Sequence, residues 1–485
     1  MTYRLSKSKY LSAFQCHKRL WLEFHDPEKA TPASEVQQAI FNQGHYVGEL
    51  AREQYPGGIL IDSHYLDISN GIETTNDELA KNPPSIFEGF FQYNDVLVRP
   101  DIMVNNNDGT WDFIEVKSST KVKPENIRDV AIQTYVLMGC KVKIRKSFLM
   151  HINRSCMYPD LNNLFDLEEL TDSIKPFIKE MESSLKNLRN ILSVNQPPDI
   201  PIGRHCDKPY NCAFKTYCWV DVPEYSVFTI PRLNQEKKDN YYKNGVSELI
   251  DFKDFGKLNE PQKNYLKSFK TKSPIIDKDA IQNELDNLVF PLYFLDFETY
   301  APAVPQFEGM HPYDQFPFQY SLHILQKDGS LIQKEYIHDN KTDPRQQIAK
   351  KLVNDLGELG TIISYNASFE KGIISNLSKL IPNYSNQLDL LTNRFWDQLL
   401  IFRKYYFDYR FRGSNSIKSV LPVLVPNLDY KSLEVQEGNQ AQIVWDKMAQ
   451  LPVGKDKTKL ISQLLEYCRM DTLAMVEIHR KLNQI

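Results

Sequence analysis

Residues 291–300, PLYFLDFETY, place two acidic side chains inside a strongly apolar segment. The segment predicts a buried β-strand, and side chains two residues apart lie on the same face of a strand. Asp296 and Glu298 therefore lie side by side where an unpaired carboxylate would be costly. Because a metal ion is the natural partner of two such carboxylates, the sequence predicts a divalent-cation site at this strand.

The composition limits the class of protein. A chain of 485 residues predicts two or three domains, and 41% hydrophobic with 25% charged residues is typical of a soluble globular protein. A net charge of −4 excludes a protein that holds nucleic acid through bulk positive charge. No apolar run approaches the roughly 18 residues that span a bilayer. The first residues, MTYRLSKSKY, lack the apolar core of a signal peptide. We therefore expect a cytoplasmic protein that contacts no membrane.

The order of predicted elements indicates two α/β domains. Helices are predicted at 1–30, 34–54, 125–139 and 166–193, and strands at 87–120 and 143–150. This arrangement predicts a mixed α/β domain over residues 1–225. Residues 226–290 are polar and predict a helical connector, and a second α/β domain follows over residues 291–485.

A predicted hairpin carries the second group of charged residues. Asp101 lies on one strand, and Glu115 and Lys117 lie on the same face of the next strand. Two carboxylates that meet form a site for Mg²⁺ or Mn²⁺, and an adjacent ammonium can orient a water. The alternative is a hairpin with ordinary surface charges.

The sequence Pro100–Asp101…Glu115-Val116-Lys117 resembles the PD-(D/E)xK motif of restriction-endonuclease-like nucleases. Gln133, on the following helix, resembles the additional motif of the RecB-like branch. The resemblance implies catalytic roles for Asp101, Glu115, Lys117 and Gln133. It further implies that His45 binds the metal ion, although a single histidine on a helix is often structural.

Three of the seven cysteines lie within thirteen residues, at Cys206, Cys212 and Cys218. Cysteines this close together usually bind metal, and a complete coordination sphere needs a fourth ligand. One early cysteine followed by three late ones resembles the RecB-like nucleases that contain an iron–sulfur cluster, such as AddB and the CRISPR-associated exonucleases. The resemblance implies a 4Fe–4S cluster held by Cys16 and these three residues. Zinc is the alternative, because thiolates bind both. Cys140, Cys156 and Cys468 are expected to be core residues.

The apolar strand at residues 291–300 begins a series of three motifs. SYNASFEKGII contains Asn366, Phe369 and Glu370, and EYCRMDTLAM places Tyr467 and Asp471 one helical turn apart. These segments resemble the motifs of DnaQ-like exonucleases of the RNase H fold, in the form that carries a tyrosine in the last motif. Glu370 stands where that family usually has Asp.

The DnaQ-like resemblance implies hydrolysis with two Mg²⁺ or Mn²⁺ ions. It implies that Asp296, Glu298, Glu370 and Asp471 bind these ions and that Tyr467 orients the attacking water. Asp397 is a further acidic candidate, or else a charge at a helix end.

Residues 402–412, FRKYYFDYRFR, interleave aromatic and cationic side chains. This pattern is typical of surfaces that bind single-stranded nucleic acid, and it predicts contacts from Arg403, Lys404, Arg410, Arg412 and Lys418. The alternative is a helix whose aromatic rings pack in the core.

Together, the motifs predict a metal-dependent nuclease with two active sites. The expected substrate is DNA, single-stranded or attacked from its ends, and the expected process is repair, recombination or defence. The first alternative is an RNA-processing exonuclease, since some DnaQ-like enzymes act on RNA. The second is a nucleic-acid-binding scaffold in which one site is inactive.

Overall fold

Helices and mixed sheets alternate along the chain in the computed structural model, which describes residues 3–64 and 66–485. The chain divides into two compact units. The first unit comprises Met1–Asp221 and Pro302–Tyr313, and the second comprises Val222–Ala301 and Asp314–Ile485. The predicted connector at 226–290 therefore folds with the second unit. Within the described residues, every helix is too short or too polar to cross a bilayer.

The helices and strands of the first unit follow in chain order: β1 (Leu5–Ser6), α1 (Lys7–Gln15), α2 (His17–His25), α3 (Glu35–Glu53), β2 (Ile59–Leu60), α4 (Ile68–Ala80), β3 (Ser85–Phe87), β4 (Phe91–Tyr93), β5 (Val96–Val98), β6 (Ile102–Asn105), β7 (Trp111–Lys117), α5 (Pro124–Gly139), β8 (Ile144–Ile152), β9 (Phe165–Glu169), α6 (Thr171–Lys179), α7 (Met181–Ser193) and α8 (Lys215–Cys218). Short 3₁₀ helices occupy Pro27–Lys29 and Arg204–Cys206.

A six-stranded sheet forms the centre of the first unit, in the order β2-β3-β6-β7-β8-β9. β6 and β7 form the predicted antiparallel hairpin, while β7 and β8 run parallel and are connected through α5. The two faces of β7 are covered by different helices. Phe113 packs in the core that includes α5, whereas Ile114 and Val116 pack against α3. Since side chains alternate along a strand, Glu115 and Lys117 share the α5 side with Phe113.

The structure corrects two of the predicted helices. Cys16 has extended backbone angles (φ −165°, ψ 120°), so the predicted helix at 1–30 is divided into α1 and α2. The predicted helix at 166–193 begins instead as the edge strand β9, followed by α6 and α7. The residues of β9 are mostly exposed, and its pairing with β8 overrides the helix preference of Leu and Glu.

The second unit contains α9 (Gln235–Lys243), α10 (Glu260–Thr271), β10 (Ile275–Ile276), α11 (Lys278–Asp286), β11 (Leu292–Tyr300), β12 (Phe316–Leu325), β13 (Leu331–Ile337), α12 (Arg345–Leu356), β14 (Thr361–Ser364), α13 (Ser368–Leu380), α14 (Ser385–Thr392), β15 (Phe395–Asp397), α15 (Leu399–Lys404), β16 (Tyr406–Phe407), α16 (Ile417–Leu424), α17 (Gly438–Gln450) and α18 (Lys455–Leu482). Short 3₁₀ helices occupy Val227–Thr229, Leu249–Asp251, Phe255–Lys257, Pro382–Tyr384 and Tyr409–Phe411.

A five-stranded mixed sheet has the order β13-β12-β11-β14-β15. The central strand β11 is antiparallel to β12 and parallel to β14, with Asp296 opposite Ser321. The C-terminal helix α18 packs against β11 and β12, and the hydroxyl of Thr472 on α18 contacts the Ser321 hydroxyl at 2.8 Å. This contact aligns α18 with the part of β11 that carries the acidic residues.

The segment Pro302–Tyr313 leaves the second unit directly after β11 and folds with the first. Ala303 and Val304 join the hydrophobic core around Ile102 and Met150. The hydroxyl of Tyr313 donates to the Ser118 carbonyl. The two units are therefore not consecutive pieces of the chain.

Candidate functional site

The β6–β7 hairpin brings the predicted residues of the first unit together. Asp101 directly precedes β6, and its Oδ2 accepts the Val116 N–H at 2.6 Å. Lys117 Nζ lies 2.5 Å from Glu115 Oε1. The sequence prediction that these three side chains meet therefore agrees with their placement.

Three further side chains complete this group. Lys7 Nζ lies 2.7 Å from Glu115 Oε1 and 3.4 Å from Asp129 Oδ1, and Lys117 Nζ lies 2.7 Å from Asp129 Oδ2. The Gln133 amide donates to Glu115 Oε2 at 2.6 Å and to Asp129 Oδ1 at 2.9 Å. We call this group the first carboxylate site; its members are Lys7, Asp101, Glu115, Lys117, Asp129 and Gln133.

Sequence reasoning missed Lys7 and Asp129. Asp129 could have been found, because it lies one helical turn before Gln133 on α5 and therefore shares its face. No nearby sequence pattern indicates a role for Lys7, because its partner Glu115 is 108 residues away along the chain.

Opposing charges set the protonation of the first carboxylate site. Burial of Asp101 raises its pKa well above the usual range, and the nearby Glu115 carboxylate raises it further. Burial acts in the same direction on Glu115, but the ammonium groups of Lys117 and Lys7 outweigh it and hold its pKa below the usual range. Burial lowers the pKa of Lys117, yet Asp129 and Glu115 raise it well above its ordinary value. The site therefore holds an ionised Glu115 between two ammonium groups.

His45 is not brought to the first carboxylate site. It lies exposed on α3, the helix that covers the opposite face of β7 from Glu115. Within the described residues, His45 belongs to no cluster of three possible metal ligands. The structure thus gives no support to the predicted role of His45, and the isolated position of a histidine on an exposed helix face explains why.

The four predicted cluster cysteines line one cavity of about 20 Å³. Cys16 lies at the break between α1 and α2, and the other three lie in the segment that ends with α8. Apolar side chains, three cations and a histidine complete the lining: Leu22, Ile200, Ile202, Phe214, Lys18, Arg19, Lys215 and His205. We call this cavity the cysteine pocket.

The four thiols share this pocket, but no three of their sulfurs lie mutually within 4.8 Å in the part of the chain that is described. Cys140 and Cys156 lie outside this pocket and pack in the cores, as expected.

Three separate elements of the second unit contribute acidic side chains to one place. β11 supplies Asp296 and Glu298, the first turn of α13 supplies Glu370, and α18 supplies Asp471. We call these four residues the second carboxylate site. Asp296, Glu298 and Cys468 offer ligand atoms within 4.8 Å of one another, the single such group among the described residues. Cys468, expected to be a plain core residue, lies with Sγ 3.6 Å from Asp296 Oδ2.

Burial raises the pKa of every carboxylate of this site, and neighbouring carboxylates raise those of Asp296 and Glu298 further. Burial raises the pKa of Asp296 well above the usual range, and Asp471, Glu298 and Glu370 add to the effect. Burial and Asp471 likewise raise the pKa of Glu298, against the opposing charge of Lys418. Burial raises the pKa of Asp471 to about 6 and that of Glu370 to about 8. Buried carboxylates that repel each other favour a bound cation or a proton.

Glu370 is further distinguished by an unused oxygen. It is 3% exposed, and its Oε2 has no hydrogen-bond partner within the described ranges. Asn366, at the preceding strand–helix junction, has φ 85°, in the left-handed region. Its N–H donates to Asp397 Oδ1 at 3.0 Å, and the Leu399 N–H donates to the same oxygen at 3.1 Å. Asp397 therefore fixes the turn that orients Glu370.

Two tyrosines and a lysine cover the second carboxylate site. The Tyr430 hydroxyl donates to Asp471 Oδ1 at 2.6 Å. Lys418 Nζ donates to the Tyr467 hydroxyl at 3.3 Å and lies 5.3–5.4 Å from the ring centroids of both tyrosines. Tyr430 was not predicted, because it lies between α16 and α17, outside every motif, 41 residues from Asp471. The cavity above the site has about 480 Å³ and is open to solvent.

The aromatic and cationic segment 402–412 is largely structural. Its rings at Phe402, Tyr406 and Phe411 are buried and pack on one another at 5.7–5.9 Å between centroids. These rings are therefore not a stacking surface for bases, which corrects that part of the sequence interpretation.

The five predicted nucleic-acid contacts lie in different surroundings. Arg410 pairs with the buried Asp408 at 2.6 Å, and Arg412 pairs with Glu224. Arg403 lines a separate cavity beside Arg232, and Lys404 is exposed at the end of α15. Lys418 is the member of this set that lines the cavity of the second carboxylate site.

Comparisons with known proteins give matches without an assigned activity. A family model described as a domain of unknown function, DUF2779, matches residues 293–416. The "Uncharacterized protein MG366 homolog" of Mycoplasma pneumoniae is 24% identical over 234 residues, covering 44% of this chain and 35% of the relative. The "Uncharacterized protein MG366" of Mycoplasma genitalium is 21% identical over 266 residues, covering 51% and 38%. This chain thus spans little more than a third of the length of either relative.

A solved structure titled "Crystal structure of SSO0001" aligns with 45% of this chain and 87% of its own, at 12% identity and a TM-score of 0.21. That score is too low to carry an argument about fold. The DUF2779 match covers three of the four acidic residues of the second carboxylate site and ends before Asp471. The chain is therefore similar to DUF2779 proteins across β11 to the end of the segment before α16.

Proposed function

We propose that this protein is a metal-dependent nuclease that hydrolyses phosphodiester bonds of DNA, with one active site in each unit. The observation that carries the proposal is the second carboxylate site. Three buried carboxylates, Glu298, Glu370 and Asp471, and the partly exposed Asp296 converge there from three separate elements, opposed by the single cation Lys418 among the described residues. Such an arrangement is costly for stability and is typical of metal-dependent phosphodiester hydrolysis.

The second unit supports a DnaQ-like assignment on the RNase H fold. Its sheet order, with an antiparallel β12 beside the central β11 and parallel β14 and β15 beyond, agrees with that expectation. The unpaired Glu370 Oε2 and the raised pKa values fit bound divalent cations, which Asp296, Glu298, Glu370 and Asp471 would hold. Bound Mg²⁺ or Mn²⁺ would supply charge stabilisation to a phosphoryl group and lower the pKa of a water.

The side chains around this site have separate tasks in the proposed reaction. Burial and Asp471 raise the pKa of Tyr467, so its hydroxyl stays protonated and can donate to an attacking water or to the phosphate. Lys418, beside that hydroxyl, offers an ammonium to the substrate phosphate. Tyr430 donates to Asp471 and thereby fixes the orientation of this carboxylate.

The first unit supports a RecB-like, restriction-endonuclease-like assignment. Asp101 and Glu115 would hold a divalent cation, and the buried Gln133 Oε1, which has no partner among the described atoms, fits a polar ligand in this site. Lys117 would orient the attacking water and offset phosphate charge. In the proposed mechanism Gln133 positions Glu115 through its 2.6 Å hydrogen bond.

The cysteine pocket is proposed to hold a 4Fe–4S cluster through Cys16, Cys206, Cys212 and Cys218. The placement of all four cysteines around one pocket supports this proposal, and zinc is the alternative because thiolates bind both. The cluster would join the start of the first unit to its end and so act in folding. The nearby Lys18 and Arg19 would offset the negative charge of the thiolates.

Cleavage of end-labelled substrates tests the proposal. Wild-type protein, Lys117→Ala and Asp296→Ala are compared on single-stranded DNA, duplex DNA and RNA with Mn²⁺ or Mg²⁺. We expect metal-dependent DNA cleavage that is partly lost in each single variant and falls at least 100-fold in the double variant Lys117→Ala/Asp296→Ala. Lys121→Ala and Asp456→Ala change exposed residues and serve as matched controls. Cleavage that persists unchanged in both site variants would refute the assignments, and cleavage restricted to RNA would replace DNA as the substrate.

A further inference from the structure

The first unit has a second cavity, besides the cysteine pocket. It lies beside the first carboxylate site, and none of the predicted motifs accounts for it. It has about 370 Å³, and its lining includes Ser8, Phe14, Gln15, Arg19, Arg128 and Tyr210. We call it the Phe14 cleft. One wall follows α1, from Ser8, next to Lys7, to Gln15, next to Cys16. The cleft therefore extends from the carboxylate site toward the cysteine pocket.

The opposite wall is the start of α5. Arg128 lines the cleft and directly precedes Asp129 of the first carboxylate site. From Ser8 to Gln15, α1 extends over about 10 Å at 1.5 Å per residue. At about 3.4 Å per stacked nucleotide, this length accommodates roughly three nucleotides. The geometry thus matches a short strand whose end reaches the carboxylates.

Two exposed aromatic rings distinguish the Phe14 cleft from an ordinary surface groove. Phe14 is 41% exposed and Tyr210 is 55% exposed. The Arg128 guanidinium lies 4.1 Å from the Phe14 ring centroid, and the Tyr10 ring meets Phe14 edge-on at 4.8 Å. Phe14 is therefore held in place from two sides while much of the ring remains accessible.

The loop that carries Tyr210 is tied to α1. The Gln15 amide donates to the Tyr210 carbonyl at 2.6 Å and to the His205 carbonyl at 2.8 Å. Arg19 in turn donates to Gln15 Oε1 at 2.7 Å. Since Tyr210 lies between Cys206 and Cys212, the cysteine pocket and Gln15 together fix the position of the Tyr210 backbone.

We propose that the Phe14 cleft binds the unpaired bases of a single strand, by stacking on Phe14 and Tyr210, while the strand backbone reaches the first carboxylate site. This proposal rests on the proposed function of that site. Aromatic rings beside cations bind single strands because every base has an accessible face, which a duplex does not offer. Arg128 and Arg19 supply the cations, and the mostly apolar lining suits a base better than a phosphate.

The test uses Phe14→Ala and Tyr210→Ala in full-length protein whose second site is silenced by Asp296→Ala. Two DNA 12-mers are compared, one intact and one with abasic residues at the three nucleotides nearest the cleaved end. Base stacking predicts that each aromatic substitution raises KM for the intact strand about 5- to 100-fold. The abasic strand should already have a high KM, which the substitutions leave unchanged. Tyr46→Ala, an exposed aromatic on α3, is the matched control.

Equal KM values for the intact and abasic strands in the parent protein would overturn the proposal. An equal rise in KM for both strands in Phe14→Ala and Tyr210→Ala would also overturn it, because that result indicates a structural role for the two rings. Crosslinking of a 5-iodouracil oligonucleotide gives a readout that needs no cleavage. We expect crosslinks at Phe14 or Tyr210, and their absence refutes the cleft. Crosslinks in a protein without cleavage would refute the proposed nuclease and support the binding cleft.

Discussion

Asp471→Asn tests whether the buried charge of Asp471 destabilises the second carboxylate site in the absence of a cation. Asp471 is 8% exposed, and its charge raises the pKa values of Asp296 and Glu298. Asparagine has nearly the same shape and keeps an oxygen that can accept the hydrogen bond from Tyr430. The substitution therefore removes a charge with little change in packing.

The raised pKa of Asp471 gives the size of the expected change in the free energy of unfolding. Its value of about 6 in the folded protein compares with an ordinary 3.8, and each pH unit between these values corresponds to about 1.4 kcal/mol. Because the folded pKa is raised, this group lowers stability as pH rises from 3.8 through 6. The loss reaches about 3 kcal/mol at pH 8 and about half of that at pH 5.

The free energy of unfolding is measured by urea titration in EDTA, with circular dichroism as the readout. We expect Asp471→Asn to be more stable than wild type by up to about 3 kcal/mol at pH 8, with a smaller difference at pH 5. Mn²⁺ at 100 times its dissociation constant should stabilise wild type by about 2.7 kcal/mol and the variant by much less. Asp456→Asn, an exposed acid on the same helix, controls for the loss of one charge.

Two results would refute this reasoning. The first is an Asp471→Asn protein that is no more stable than wild type at pH 8 in EDTA. The second is an equal stabilisation of both proteins by Mn²⁺, because a lost ligand must weaken the binding of the ion. Either result would show that the raised pKa of Asp471 does not reflect a cation site.

Three further predictions concern other parts of the chain. Lys7→Met removes one of the ammonium groups that keep the Glu115 pKa low. It should therefore lower the free energy of unfolding by about 3 kcal/mol at pH 7, and this loss should shrink as the pH falls below about 4.5. Unchanged urea unfolding at pH 7 would contradict this prediction. Cys218→Ala should abolish bound iron and visible absorption, measured by metal analysis and spectroscopy, whereas zinc in the colourless wild type would overturn the cluster. Gly413→Ala should lower stability by about 2 kcal/mol or more in thermal unfolding, because φ is +76° and the new Cβ would lie 1.8 Å from the Thr229 carbonyl oxygen.

Local patterns predicted the elements that carry the sites. β-forming residues on both sides of a turn predicted the β6–β7 hairpin, and the apolar run before Asp296 predicted β11, because both patterns are visible within a few residues. The strand β9 was not predicted, because its exposed residues show no alternation and it is held in place by pairing with β8. Lys7 was not predicted either, because its ion pair depends entirely on the tertiary fold.

Contacts rather than residue types separated functional from structural side chains. The pattern of cations and rings at 402–412 is the same whether the rings face solvent or the core, and only packing showed that Phe402 and Phe411 are internal. Conversely, Phe14 and Tyr210 carry no motif, and their exposure became visible only in the folded unit. A few neighbouring residues in the sequence do not show whether a side chain is buried or which side chains it contacts.

The excursion of Pro302–Tyr313 has a consequence for dissecting this protein genetically. A fragment that ends at residue 221 would lack Ala303 and Val304, which complete an apolar core, and would expose that core to water. A fragment that begins at residue 222 would carry the same twelve residues without their partners. A single cut therefore cannot divide the chain into two fragments that each contain one complete unit. A substitution in Pro302–Tyr313 affects the folding of the first unit, whose other residues end 81 positions earlier, at Asp221.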